Sequence, residues 1–518
     1  MNLAEVNPII PGFAPDPSIV RVGDWFFLVN SSFHLFPALP IFASDDLKSW
    51  KHIGNAIDRP GQIDLFRSST RLSPPAPETD GKTLPATAGL YAPTIRHHSG
   101  TFYIVCTNAR YDKEKKSVDK ENFLISTNDI WAGRWSDPVH FDFIGIDPDI
   151  FFDQDGKKYI TGSATPGPWT RINTFEVDVV TGKRLSEERT IWTGTGGIYP
   201  EGPHIYKRDG WYYLLIAEGG THITHMITMA RSRNIWGPYE PCPHNPVLTA
   251  YGTNEYVQHT GHGDLFEDHN GSWWTVCLGV RKDMEGRYAM GRETFLTSVD
   301  WTSEWPIFEP VKSVPGLIRT TAESSLTSST LSVDWVYIRN AILNRYQFAE
   351  SDTTVKLIPS AVELSNRQES PTFVGKRQRR LQGKSSATVA GISEDWATTG
   401  VNCGLAYYKD EHRYFRLFFD ASKSTMVFQQ KNTAQEIDER KEHKLESFPS
   451  GISITMAYTE QEFKLFYTVD PSTERLPSEI AAVDTLEMTD PDFVGPLIGV
   501  FATAASDEHP VTFEAIDL

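Results

Sequence analysis

One segment recurs five times in this chain, and few folds can accommodate it: a polar residue, a short apolar stretch, a glycine turn, then an aromatic-rich strand. The turn glycines are Gly23, Gly100, Gly156, Gly210 and Gly271, at intervals of 77, 56, 54 and 61 residues. The strands after them read D-W-F-F-L-V, T-F-Y-I-V-C, K-K-Y-I-T-G, W-Y-Y-L-L-I and S-W-W-T-V-C. Nine residues before the last four glycines stand Tyr91, Asp147, Glu201 and His262, and seven before the first stands Asp16. A repeat near this length, made of short strands and a Gly-centred hairpin, predicts the blades of a five-bladed β-propeller. The start of each inner strand then faces a common axis, so three carboxylates and a histidine are expected at one spot.

Residues 1–318 hold all five repeats and are read as the propeller. Three echoes, S-D-D-L-K-S-W (44–50), S-T-N-D-I-W (126–131) and R-S-R-N-I-W (231–236), follow three of the aromatic strands. Each reads as a strand running into a turn, with a tryptophan packed between blades. Residues 319–334 are rich in serine and threonine and read as a linker. Over 335–518 the repeats stop and alternating patterns such as Y-F-R-L-F-F-D, F-K-L-F-Y-T-V and I-S-I-T-M-A-Y predict a β-sandwich. Helical periodicity is scarce, and the chain is expected to be all-β.

Composition narrows the partners. At 518 residues the chain is long enough for two domains, and 14 Trp, 19 Tyr and 29 Phe suffice for large cores and a sugar-binding surface. The formal charge of -18, without a basic tract, argues against nucleic acid or an anionic membrane as partner. Four cysteines lack metal-ligand spacing, and Cys106 and Cys277 fall in strands expected to be buried. The start M-N-L-A-E-V-N-P-I-I has no signal-peptide pattern, so an intracellular protein or a processed secreted form is expected. Assembly into a homo-oligomer stays open.

The five key segments are F-A-P-D-P-S-I, L-Y-A-P-T-I, G-I-D-P-D-I, Y-P-E-G-P-H-I and T-G-H-G-D-L. Proline removes a donor and fixes φ, so it marks the first residue of a strand, and each key residue is expected at a strand mouth. For any single acid, capping a turn is the competing role. Asp149, Asp153 and Asp155 read as turn residues, and Asp264 fits either role. A register-matched set of acids in an aromatic funnel points to glycoside hydrolysis, in which one carboxyl protonates the leaving oxygen and another activates water or attacks carbon. A third carboxylate nearby raises the pKa of the acid.

The segments 13–18, 145–153, 199–214, 260–265 and M-G-R-E-T (290–294) resemble glycoside hydrolase family 43, inverting β-xylosidases and α-L-arabinofuranosidases on a five-bladed propeller. S-P-T-F-V-G-K-R-Q (370–378) is similar to the concanavalin-like jelly-roll domain of its xylosidase branch. The resemblance implies Asp16 as general base, Glu201 as general acid and Asp147 as modulator of the acid's pKa. It implies Arg292 on sugar hydroxyls, Phe33 as an apolar wall, Tyr91 at the pocket, and His262 orienting Asp147 or holding a water or calcium ion. Many xylosidases of the family carry Trp in place of Tyr91 and Glu-Trp in place of His34-Leu35, two positions expected near the pocket. The implied activity is exo-hydrolysis of terminal pentoses from xylo-oligosaccharide or arabinoxylan, with no required cofactor. The sandwich is expected to lend a loop to the pocket rim. Two rivals share the propeller: an endo-arabinanase, and a carbohydrate-binding propeller without catalysis.

Overall fold

A computed structural model describes every residue except 1, 113, 115, 116, 165, 166, 316–325, 331, 352 and 472–475. Much of the expected linker, at 319–325 and 331, lies outside the described residues, as does the boundary at 318. The protein is all-β. The only α-helices among the described residues are the four-residue Leu3–Val6 and Trp396–Thr399.

Among the described residues, the N-terminal three-fifths forms five sheets of four or five strands taken in chain order. The first passes over the short strand Leu35–Phe36 and gains one edge strand from further along the chain, and Thr70–Ser73 and Leu84–Thr87 pair separately as a small hairpin sheet. The first strands of the five sheets are Ser18–Val22, Gly89–His98, Gly145–Phe152, Glu201–Arg208 and Val257–Glu267. Each pairs with the aromatic strand after it through a glycine turn. Ser99–Gly100 and Asp209–Gly210 both have positive φ at their two residues, as a two-residue hairpin loop requires. The first strands lie against one another in chain order, and the fifth returns to the first.

Each neighbouring pair of sheets shares one apolar cluster, so five separate cores alternate with five sheets. Trp50 is fully buried in the cluster between the fifth and first sheets. Trp236 meets Tyr159 edge-on between the third and fourth. Trp131 instead lies half-exposed over Trp25. Residues 7–14 close the circle against the last sheet. Asn7 donates to the Leu296 carbonyl at 2.8 Å and accepts from its N–H at 2.9 Å, and Ile10 and Thr294 exchange backbone bonds.

Beyond them, a seven-stranded and a six-stranded antiparallel sheet enclose one large apolar core, as the alternating patterns predict. Leu326–Ser328, inside the expected linker, adds a parallel strand to the first sheet. A further apolar cluster joins the two halves, with Phe13, Phe33 and Leu35 packed against Tyr408, Phe373 and Val494.

Candidate active site

Asp16, Asp147 and His262 share one backbone state, with φ of 51°, 53° and 44°. Ala92 (37°) and Gly202 (54°) hold the same left-handed state in the other two first strands. At each of the last four, pairing with the neighbouring strand skips a step, the mark of a β-bulge. This corrects the expectation that proline marks the strand starts: Pro93, Pro148 and Pro203 stand inside strands, directly after the left-handed residue. A bulge interrupts the ladder, so the missing N–H leaves no partner unsatisfied. Tyr91 and Glu201 are therefore one residue out of step with Asp16, Asp147 and His262, each preceding the left-handed residue instead of occupying it.

All seven expected site residues line one cavity of about 310 Å³: Asp16, Phe33, Tyr91, Asp147, Glu201, His262 and Arg292. The volume falls at the small end for ligand pockets, in keeping with one sugar ring. His34 and Leu35 are not among its walls. His34 is buried against Tyr408, and Leu35 lies in the cluster joining the halves, because the bridge from Tyr337–Ile338 to Leu35–Phe36 turns this segment toward the sandwich.

The three carboxyls sit in different fields. Burial opposes the charge of Asp16, but Arg292, His262 and the Ser31 hydroxyl outweigh it and hold this carboxyl below the usual range. Arg292 Nη1 lies 3.1 Å from Asp16 Oδ1, Ser31 Oγ donates at 2.6 Å, and His262 Nδ1 is 3.8 Å away. Glu201 is pushed well above its ordinary value by burial, then by the charges of Asp147 and Asp16, against the pull of Lys120. Asp147 is raised by burial and by Asp16, with His262, the Gly202 N–H and Arg292 opposing. The Gly202 N–H reaches Asp147 at 3.0 Å.

One step deeper, Ser18, Asp149, His204 and Asp264 follow the left-handed positions by two residues and so face the same way. Asp149 is thus no turn residue: it is wholly buried within its strand. Arg96 bridges Asp264 at 2.7 Å and Asp149 at 2.9 Å, and meets His204 Nδ1 at 2.9 Å. Tyr206 and Ser18 donate to Asp264 at 2.6 and 2.7 Å. Each of these contacts ties one first strand to another.

Among the wall residues that the sequence reading did not name, two bear directly on the acids and the sugar pocket. Lys120 faces the acids from the second sheet, its ammonium disfavoured by burial and supported by Glu201 and Asp147. Phe493 comes from the sandwich and is the expected rim loop. Its ring lies 6.0 Å from Phe33 and 6.1 Å from Tyr91, and its carbonyl accepts from Arg292 Nη2 at 2.8 Å. The loop is held from behind by buried ion pairs, Asp492 with Arg413 at 2.5 Å and with Lys409 at 2.8 Å. Only a motif linking the two halves could have flagged it, and Phe493 lies in none.

Residues 6–306 match the family model Glycosyl hydrolases family 43, and 326–518 match Beta xylosidase C-terminal Concanavalin A-like domain. A non-reducing end α-L-arabinofuranosidase of Bacteroides ovatus is 32% identical over 99% of this chain and 94% of that protein. A xylosidase/arabinosidase of Butyrivibrio fibrisolvens is 33% identical over 82% of this chain and 81% of its own length. Among solved structures, xylan β-1,4-xylosidase of Bacillus halodurans superposes with a TM-score of 0.82 at 26% identity, covering 98% of both chains.

Proposed function

The chain belongs to glycosyl hydrolases family 43, and from that premise we propose an inverting exo-glycosidase that removes terminal pentoses from xylan- or arabinoxylan-derived chains, as β-D-xylosidase, α-L-arabinofuranosidase or both. The observation that carries this reading is the opposed perturbation of two carboxyls in one sugar-sized cavity, Asp16 held below the ordinary carboxylate range by Arg292 and His262 and Glu201 pushed well above it by burial and Asp147. Asp16 takes a proton from water as the water oxygen bonds to the anomeric carbon. Glu201 gives its proton to the glycosidic oxygen as that bond breaks, and Asp147 keeps Glu201 protonated until then. Inversion requires about 6.5–9.5 Å between the Asp16 and Glu201 carboxyls, to leave room for the water. Arg292 fixes Asp16 and the rim carbonyl, and Phe33, Tyr91 and Phe493 form an apolar wall. The Phe493 loop closes one side, which favours exo over endo action.

The five sheets with five shared cores support a five-bladed propeller over 1–318, joined through 319–334 to a sandwich over 335–518. The chemistry needs no cofactor. Calcium beside His262 finds a poor fit, since Asp16 is engaged by Arg292 and Ser31 and the layer beneath already holds the Arg96 guanidinium. Such an ion takes 6–8 oxygen ligands.

Initial rates on aryl β-xyloside and aryl α-L-arabinofuranoside, measured side by side, test the proposal. Asp16→Ala and Glu201→Ala should each lower kcat by about 10²–10⁴. Hydrolysis of neither glycoside would refute the activity, and a first product of retained anomeric configuration would refute the inverting assignment.

A further inference from the structure

A second cavity, of about 410 Å³, lies between the two halves and shares no lining residue with the first. On one side it meets Asn7, Pro11 and His52, and on the other the stretch Lys376–Gln382. In a chain of charge -18, that stretch, K-R-Q-R-R-L-Q, carries four cationic side chains in seven residues. Its first part belongs to the motif 370–378, which the hydrolytic chemistry leaves unused.

Arg377 is 4% exposed, yet its Nε and Nη2 have no hydrogen-bond partner. These two donors form one edge of the guanidinium fork, the edge that grips an oxyanion with two parallel bonds. His52 Nε2, equally buried and on the same cavity, is also without a partner. Asp334, which pairs with Lys376 at 3.2 Å, supports Arg377 and Arg379 only through its charge, and Glu293 is engaged by Arg281 at 2.8 Å. Of the other acids on the cavity, Glu460 accepts from the Tyr256 hydroxyl, and Asp517 and the C-terminal Leu518 complete the wall, none of them bonded to Nε or Nη2 of Arg377. Burial, with the repulsion of Arg379, pushes Arg377 down to about 9, and burial pushes Arg379 down to about 10. Buried donors and charge normally find partners, and a cavity of this size admits one. Arg379 Nη1 is tied to the Pro11 carbonyl at 2.5 Å, and Arg377 stands over the Phe13 ring. Both arginines therefore already join the sandwich to the N-terminal segment.

We infer that this cavity is a binding site for a small oxyanion, gripped by the Nε–Nη2 edge of Arg377 with His52 beside it, and that the bound anion clamps the two halves together. Phosphate, sulfate and the carboxylate of a uronic acid present the same acceptor geometry. Thermal unfolding of the full chain, at fixed ionic strength in chloride, is compared with added inorganic phosphate, sulfate or glucuronate. Phosphate should raise Tm by on the order of 1–3 °C when it exceeds its Kd about 100-fold. Titration calorimetry should show one saturable site per chain. A response to glucuronate alone would assign the site to a glycan carboxylate. Arg377→Gln should lose the phosphate-dependent rise, and Arg377→Lys, which keeps the charge but not the fork, should weaken binding at least about tenfold. Aryl-glycoside hydrolysis should persist in both. An arginine that only packs would lower Tm equally in chloride and phosphate. That result, several weak sites per chain, or no response to any of the three anions would overturn the inference.

Discussion

At the scale of single residues, the site works by holding like groups in unlike fields. Asp16 lies below the ordinary carboxylate range and Glu201 well above it. The base must be ionised and the acid protonated, so kcat/KM should fall on the acid side as Asp16 gains its proton and on the alkaline side as Glu201 loses its own. Asp147→Asn removes one of the charges that raises Glu201, and the alkaline limb of the pH profile should move to lower pH. An unmoved limb would deny Asp147 that part. The same field bears on stability. A carboxyl raised in the fold contributes stability at low pH, which is lost as pH climbs from its unfolded to its folded pKa. Glu201→Gln, which cannot ionise, should therefore gain in Tm relative to wild type between pH 5 and 8, read by scanning calorimetry. Asp16, Asp147, Glu201 and His262 were legible because polar residues recur at nearly one distance before the turn glycines, in or beside strands that are otherwise apolar. Asp149 was misread because D-P-D looks like a turn wherever the bulge that buries it is unseen.

At the scale of elements, the unit is a strand with one left-handed residue. Counting back from the turn glycines found Asp147 and His262 at their bulges, but put Tyr91 and Glu201 one residue early. A fixed offset sees the hairpin and not the residue the bulge inserts. At the fourth strand the left-handed position is Gly202, where a Cβ would lie 3.0 Å from the His262 ring. Gly202→Ala should lower stability by about 1–2 kcal/mol and displace Asp147 and His262 together. Urea unfolding measures the first effect, and a fall in kcat with little change in KM would report the second. Wild-type kcat in this variant would show that the bulge does not position the acids.

At the scale of the whole molecule, the pocket belongs to both halves. The wall from the sandwich could not be read from the repeats, since Phe493 lies 201 residues beyond Arg292 and still further from Phe33 and Tyr91. Phe493→Ala keeps the carbonyl that Arg292 binds and removes only the ring. It should lower kcat/KM on an aryl pentoside by about 5–30-fold, or about 1–2 kcal/mol, chiefly through KM, as steady-state kinetics will show. An unchanged KM would place the ring outside the sugar's reach. The closure of the N-terminal half has a consequence in time. Asn7 and Leu296, which seal the circle, are 289 residues apart in sequence. A ribosome adds about 5–20 residues per second, so the opening segment waits about 15–60 s for its partner to be made. For that interval the nascent chain carries an unsealed first sheet, and this is when a chaperone would be of most use to it.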